Sequence, residues 1–121
     1  MLCVGIGGGL GSMLRYLTSV FTSKFFPLMF PLATFIVNIV GCFLIGALIG
    51  LSGKNILVNN QLLLLLTVGF CGGYTTFSTF SAESLSLFST GNSLMACAYI
   101  AGSVLLGLGA VWLGTWVAVR M

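Results

Sequence analysis

Apolar residues fill four long stretches of this chain, at about residues 2–22, 30–51, 61–88 and 94–119, with turn-rich segments between them. Each stretch is near the roughly 20 residues that an α-helix needs to cross a bilayer core. The first ends at Ser23-Lys24-Phe25-Phe26-Pro27, the second at Ser52-Gly53-Lys54-Asn55, and the third at Ser89-Thr90-Gly91-Asn92-Ser93. Loops of about 5 to 10 residues predict antiparallel neighbours in one all-α membrane bundle, a single transmembrane domain over residues 1–121. The third stretch is unlike the others. It contains Gly69-Phe70-Cys71-Gly72-Gly73-Tyr74-Thr75-Thr76-Phe77-Ser78-Thr79-Phe80-Ser81. Adjacent glycines free the backbone to leave the helix, so the third helix is expected to be broken at Gly72-Gly73. Exposed carbonyls and hydroxyls persist at bilayer depth only where protein, water or an ion satisfies them. The pattern predicts a path for an ion or polar solute, not a passive anchor.

Projection at 100° per residue from Thr75 places Thr75, Thr79, Glu83 and Ser86 within an arc of about 80°, with Thr76 just beyond it. Phe77, Ser81, Ser84 and Phe88 fall on the opposite side, and Phe80 lies between. A lipid-facing helix is not polar nearly all round, so this segment is expected to be central and surrounded by protein. Four helices of one small chain cannot easily surround it, which predicts a homo-oligomer.

Composition then removes most functions. The chain is 59% hydrophobic and 4% charged, against about 25% charged in soluble domains. Its charged residues are Arg15, Lys24, Lys54, Glu83 and Arg120, and it has no histidine. One carboxylate and no imidazole leave little for acid–base or hydrolytic chemistry, so an enzyme is not expected. A net charge of +3, dispersed along the chain, lacks the clustering that nucleic acid requires. Cys3, Cys42, Cys71 and Cys97 lie in apolar stretches without metal-ligand spacing and read as small hydrophobes. The N-terminus has no basic region ahead of its apolar run, so it reads as the first span and not as a signal peptide.

Gly7 with Gly11, and Gly46 with Gly50, are small-xxx-small pairs that allow close helix approach in lipid. Asn38 lies mid-span, where its amide suits either an anion or a helix–helix bond. Glu83 is an intramembrane carboxylate and hence a functional candidate. Arg15 is placed either to draw anions into a vestibule or to anchor at the interface, and Tyr99 either donates a hydroxyl or anchors. With four spans, Lys54 and Arg120 share one side while Lys24 and Arg15 lie on or toward the other. So even a split gives the positive-inside rule little to act on. The chain is therefore expected to insert both ways and pair head to tail, like an inverted repeat made from two copies. A parallel oligomer oriented by weak signals is the alternative.

The thirteen-residue run resembles the signature of the Fluc (CrcB-type) fluoride channels. The likeness extends to Gly8-x-x-Gly11-x-x-x-Arg15-Tyr16 and to Thr34-x-x-Val37-Asn38-x-x-Gly41, and it covers all four stretches in order. Ala33 stands where that family commonly has Gly, and Tyr74 where it commonly has Phe. The resemblance implies an antiparallel, dual-topology homodimer in the cell (inner) membrane, with two pores exporting cytoplasmic fluoride and a central structural sodium ion (Na+). By similarity, backbone carbonyls of Gly72 and Thr75 from both copies hold the sodium. Phe77 and Phe80 resemble the pore phenylalanines, Asn38 the pore asparagine, and Ser78, Thr79 and Tyr99 the polar track. Glu83 resembles the end of that track and Arg15 the vestibule arginine. Two other functions are weighed against this one. A small four-helix drug/proton antiporter needs a coupling carboxylate in its first span, where this chain has none. A membrane assembly subunit would use the polar helix as glue alone.

Overall fold

A computed structural model describes residues 1–25, 31–53 and 60–120, and every extended run of backbone in it is helical. The elements are α1 (Leu2–Phe25), α2 (Leu32–Gly53), α3 (Asn60–Leu64), a π-helical segment (Leu65–Cys71), α4 (Gly72–Tyr74), α5 (Phe77–Ser89) and α6 (Ser93–Arg120). Lys54 and the Phe26-Pro27 part of the first expected turn lie outside the described residues. Among the described residues, three stretches are long and apolar enough to cross a membrane: Leu32–Gly53, Gln61–Ser89 and Ser93–Arg120, with mean hydropathy of 2.5, 1.4 and 2.0. The expected first span, α1, is 24 residues long but is not among them. Its five glycines, its serines and threonines, and Arg15 dilute an otherwise apolar helix.

The buried face of α1 explains that dilution. Ile6, Leu10, Met13, Leu17 and Val20 recur at helical spacing and are all exposed, whereas Gly7 and Gly11 are buried. This inverts the rule for a helix in water, where such a stripe would seek the core. Lipid resolves the inversion, because hydrocarbon covers the large side chains while small residues let backbones meet. A Cβ on Gly7 would overlap the Leu65 carbonyl oxygen, and one on Gly11 that of Phe70. Both expected small-residue pairs are contact points. A Cβ on Gly46 would overlap the Val111 carbonyl oxygen, and one on Gly50 would stand 2.7 Å from the Ala118 Cβ.

These contacts give the chain directions. Phe35 faces Gly102, Cys42 faces Gly107, Gly46 meets Val111, and Gly50 meets Ala118, so α2 and α6 run parallel. Thr115 Oγ1 donates to the Gly46 carbonyl across this seam, at 3.0 Å. In the same way Val4 meets Gly69, Gly8 meets Gly73, and Gly11 meets Tyr74, so α1 runs parallel to the π segment and α4. Between α5 and α6 the direction reverses through a tight turn. Gly91 has φ 82°, and the Asn92 amide closes back onto the Leu87 carbonyl at 2.8 Å. That is the glycine-terminated helix end which a left-handed residue permits. Leu87, Ala96 and the fully buried Tyr99 form the core of this hairpin, packed by Phe35, Phe80 and Met95.

Glycines at the seams and glycines facing open space should respond oppositely to alanine. At Gly46 the new Cβ strikes backbone, and overpacking of that kind costs about 1–3 kcal/mol. A Cβ at Gly109 meets nothing within 4 Å, so the helix gains roughly 0.5–1 kcal/mol there. Thermal unfolding in detergent should show Gly46→Ala melting below, and Gly109→Ala at or above, the unsubstituted protein.

Candidate functional site

The break in the third stretch falls later than the glycine pair implies. Gly72 is helical, with φ −63° and ψ −37°, and Gly73 lies inside α4. The residues that leave the helix are Thr75 (φ −83°, ψ 161°) and Thr76 (φ −151°, ψ 120°). Both lie in the broad extended region that any L-residue adopts, so the break needs no glycine. Gly73 serves contact instead, because a Cβ there would stand 2.5 Å from the Gly8 carbonyl oxygen. Gly41 does likewise on α2, where a Cβ would overlap the Thr75 methyl.

Leaving the helix frees backbone groups, and side chains from two other helices take them. Asn38 on α2 makes a two-point pair with Thr76. Its Nδ2 donates to the Thr76 carbonyl at 3.2 Å, and its Oδ1 accepts from the Thr76 amide at 2.9 Å. Arg15 on α1 donates from Nε to the Gly73 carbonyl at 3.1 Å. Thr76 Oγ1 then accepts from the Thr79 amide at 3.3 Å and caps α5. The Thr75 hydroxyl is spent locally, donating to the Cys71 carbonyl at 2.9 Å. Tyr74 stacks on Phe70, and its hydroxyl lies 3.3 Å from Thr18 Oγ1 on α1.

The Gly72 and Thr75 carbonyls are among those that lose their helical donors. In a continuous helix Gly72 would accept from the Thr76 amide, which donates to Asn38 instead. Thr75 would accept from the Thr79 amide, which donates to the Thr76 hydroxyl instead. Both residues line a groove of about 570 Å³ beside Asn38, Cys42, Val68 and Phe77. Bare carbonyl oxygens are the ligands a hard cation prefers. The Gly72 and Thr75 pair therefore fits a small cation by chemistry, though one copy offers only part of a coordination shell.

The expected pathway residues divide into three neighbouring groups. Asn38 and Phe77 face the groove, and Phe77 is 78% exposed. Arg15 and Thr79 line a second cavity of about 190 Å³ with Ser12, Ser19, Thr34 and Thr76. Phe80, Glu83 and Tyr99 form the third group: the Tyr99 hydroxyl donates to Glu83 Oε1 at 3.2 Å and also pairs with the Thr34 hydroxyl. Rings connect the groups, with 5.9 Å between the centroids of Phe77 and Phe80 and 5.1 Å between those of Phe80 and Tyr99. Ser78 is exposed at the start of α5, its Oγ 3.4 Å from that of Thr76. The projected polar arc loses one member, since α5 begins at Phe77 and Thr75 is not on it. Thr76 and Thr34 are the additions. Nothing in the spacing distinguishes them from other span hydroxyls, because their partners lie on different helices.

The comparisons agree with the motifs. The family model described as CrcB-like protein, Camphor Resistance (CrcB), matches residues 2–115. The fluoride-specific ion channel FluC of Flavobacterium psychrophilum is 48% identical over 115 residues, covering 95% of this chain and 93% of that protein. The FluC of Phocaeicola vulgatus is 48% identical over 118 residues, covering 98% and 97%. That of Gloeothece citriformis is 43% identical over 120 residues, covering 99% and 97%. With three apolar spanning stretches and a match along nearly its whole length, the chain is a multi-pass membrane protein that belongs to the CrcB family.

Proposed function

We propose that this chain is a passive fluoride channel of the cell membrane that releases cytoplasmic fluoride. Its similarity to fluoride-specific channels along nearly the full length carries this reading. The geometry supports it. Fluoride is small and strongly hydrated, so a pore must replace its water with donors. Hydroxyls and amides do this without holding the ion as firmly as a free cation would. Phe77, Phe80 and Tyr99 form a series of neighbouring rings, Ser78 and Thr79 offer hydroxyls at the start of the same helix, and the Tyr99 hydroxyl reaches Glu83. Ring edges carry partial positive charge, so Phe77 and Phe80 can turn edges toward an anion. Arg15 sits by the smaller cavity, with one guanidinium N–H held by the Gly73 carbonyl and others left to attract anions. Asn38 borders the groove but commits its amide to Thr76, so its contribution is to position the start of α5. An antiporter reading finds no support, since the sole carboxylate lies on α5 and engages Tyr99.

The functional unit in this proposal is an antiparallel homodimer of dual topology. A phenylalanine that is 78% exposed beside a 570 Å³ groove supports a second copy covering that face. Pairing head to tail would bring the Gly72 and Thr75 carbonyls of both copies toward one centre. A sodium ion held there would neutralise four bare oxygens and join the two subunits. Each carbonyl left unsatisfied in a dry interface would otherwise cost roughly 1–3 kcal/mol.

Purified protein in liposomes should release fluoride far faster than chloride, followed with an ion-selective electrode; comparable rates would remove the channel reading. Replacing Phe77 or Phe80 by Ile keeps bulk and removes the ring edge. If each edge contributes about 1 kcal/mol, fluoride flux falls roughly fivefold per substitution. Unchanged flux in both variants would reduce the rings to packing. Exchanging sodium for a bulky organic cation throughout purification should weaken dimer recovery on size exclusion. Full recovery and full flux in sodium-free buffer would argue against the carbonyl site.

A further inference from the structure

We infer that Thr76 is a pathway residue as well as a helix cap, its hydroxyl passing the anion between the Arg15 cavity and the Phe77 groove. The inference rests on the channel reading above. Among the residues that line the two spaces, Thr76 is common to both. Arg15 and Thr79 are on one side of it, and Phe77 on the other. An ion moving between the two spaces therefore meets the Thr76 side chain.

The hydrogen bonds around Thr76 suit that task. A hydroxyl has one proton to donate and two lone pairs. One lone pair accepts from the Thr79 amide at 3.3 Å. The proton points to Thr79 Oγ1 at 3.2 Å, with Ser78 Oγ at 3.4 Å as a second neighbour. It can swing from those oxygens to a passing anion while the lone pair keeps the cap. The backbone does not follow the proton, because Asn38 holds both the amide and the carbonyl of Thr76. Ser78, on the exposed start of α5, and Thr79, in the cavity, then stand as donors on either side of the hand-off.

The test separates capping from conduction. Thr76→Ser keeps both roles. Thr76→Gly keeps most of the helix-start stability without a hydroxyl, and Thr76→Asp keeps a capping acceptor that cannot donate. Each would be reconstituted beside the unsubstituted protein, with fluoride efflux and size-exclusion profile measured together. Flux should stay within about twofold for Ser and fall by roughly tenfold or more for both Gly and Asp, since bonds to an ion are among the stronger ones. Their elution should match that of the unsubstituted protein. Near-normal flux in Gly or Asp would overturn the inference, and so would loss of folded protein in both, which would assign Thr76 to folding alone. An unsubstituted protein silent toward fluoride would instead overturn the channel reading on which it rests.

Discussion

The two-point pair between the Asn38 amide and the Thr76 backbone is the interaction on which the rest depends. Stopping a helix at bilayer depth strips several backbone groups of their partners, and each bare group in hydrocarbon costs several kcal/mol. Asn38 supplies one donor and one acceptor at the spacing of a peptide unit, so it replaces the lost bond of the Thr76 amide and adds a second to the Thr76 carbonyl, which as the N-cap already starts the ladder of α5. With Thr76 held, its hydroxyl becomes the cap that starts α5. The direction of α5 then sets where Phe77, Phe80 and Glu83 stand relative to Tyr99. An amide is suited to this where a charged side chain is not. It presents both polarities without bringing net charge into the membrane.

Close helix contact through glycine is the second condition. The Arg15 bond to the Gly73 carbonyl requires α1 to lie against α4, and Gly8, Gly11 and Gly73 allow that approach. The same economy leaves large side chains outside, where lipid covers them. Phe77 is the exception in kind. It is as exposed as the lipid-facing leucines, yet it adjoins Asn38, Thr76 and a groove lined by Gly72 and Thr75, whose carbonyls have lost their helical donors. Lipid tails cannot satisfy those carbonyls, whereas a polar partner or a cation can.

Much of this fold is legible in the sequence, and the misreading of the break is instructive. The helical stretches, the turn at Gly91 and the glycine seams follow from local pattern, because lipid imposes strong rules on length and residue size. The break does not. Glycine serves either backbone freedom or close approach, and Gly72-Gly73 reads as the first when the structure uses Gly73 for the second. Thr75 and Thr76 need no special residue to be extended, so nothing local marks them. What places the break there is Asn38, 38 residues earlier in the chain, and Arg15, 58 residues before its acceptor. The candidate residues themselves are recoverable from the family motifs. Which of them meet is decided by helix packing that no span shows alone.

Tethering the strongest charge is also what makes anion flow physically reasonable. A free guanidinium in a narrow, poorly solvated space would bind an anion tightly and release it slowly, the opposite of what conduction requires. Here the Nε–H of Arg15 is committed to the Gly73 carbonyl, at the negative end of α4, so part of its charge is already answered. In the proposed channel, the cavity would keep a positive bias that draws anions in without a deep well. Beyond it, the side chains toward the groove are neutral: hydroxyls of Thr79 and Thr76, then the ring of Phe77. Arg15 and Asn38 thus both hold the broken helix, one to each side of the break. In the proposed channel, conduction would be left to neutral groups that bind weakly enough to let go.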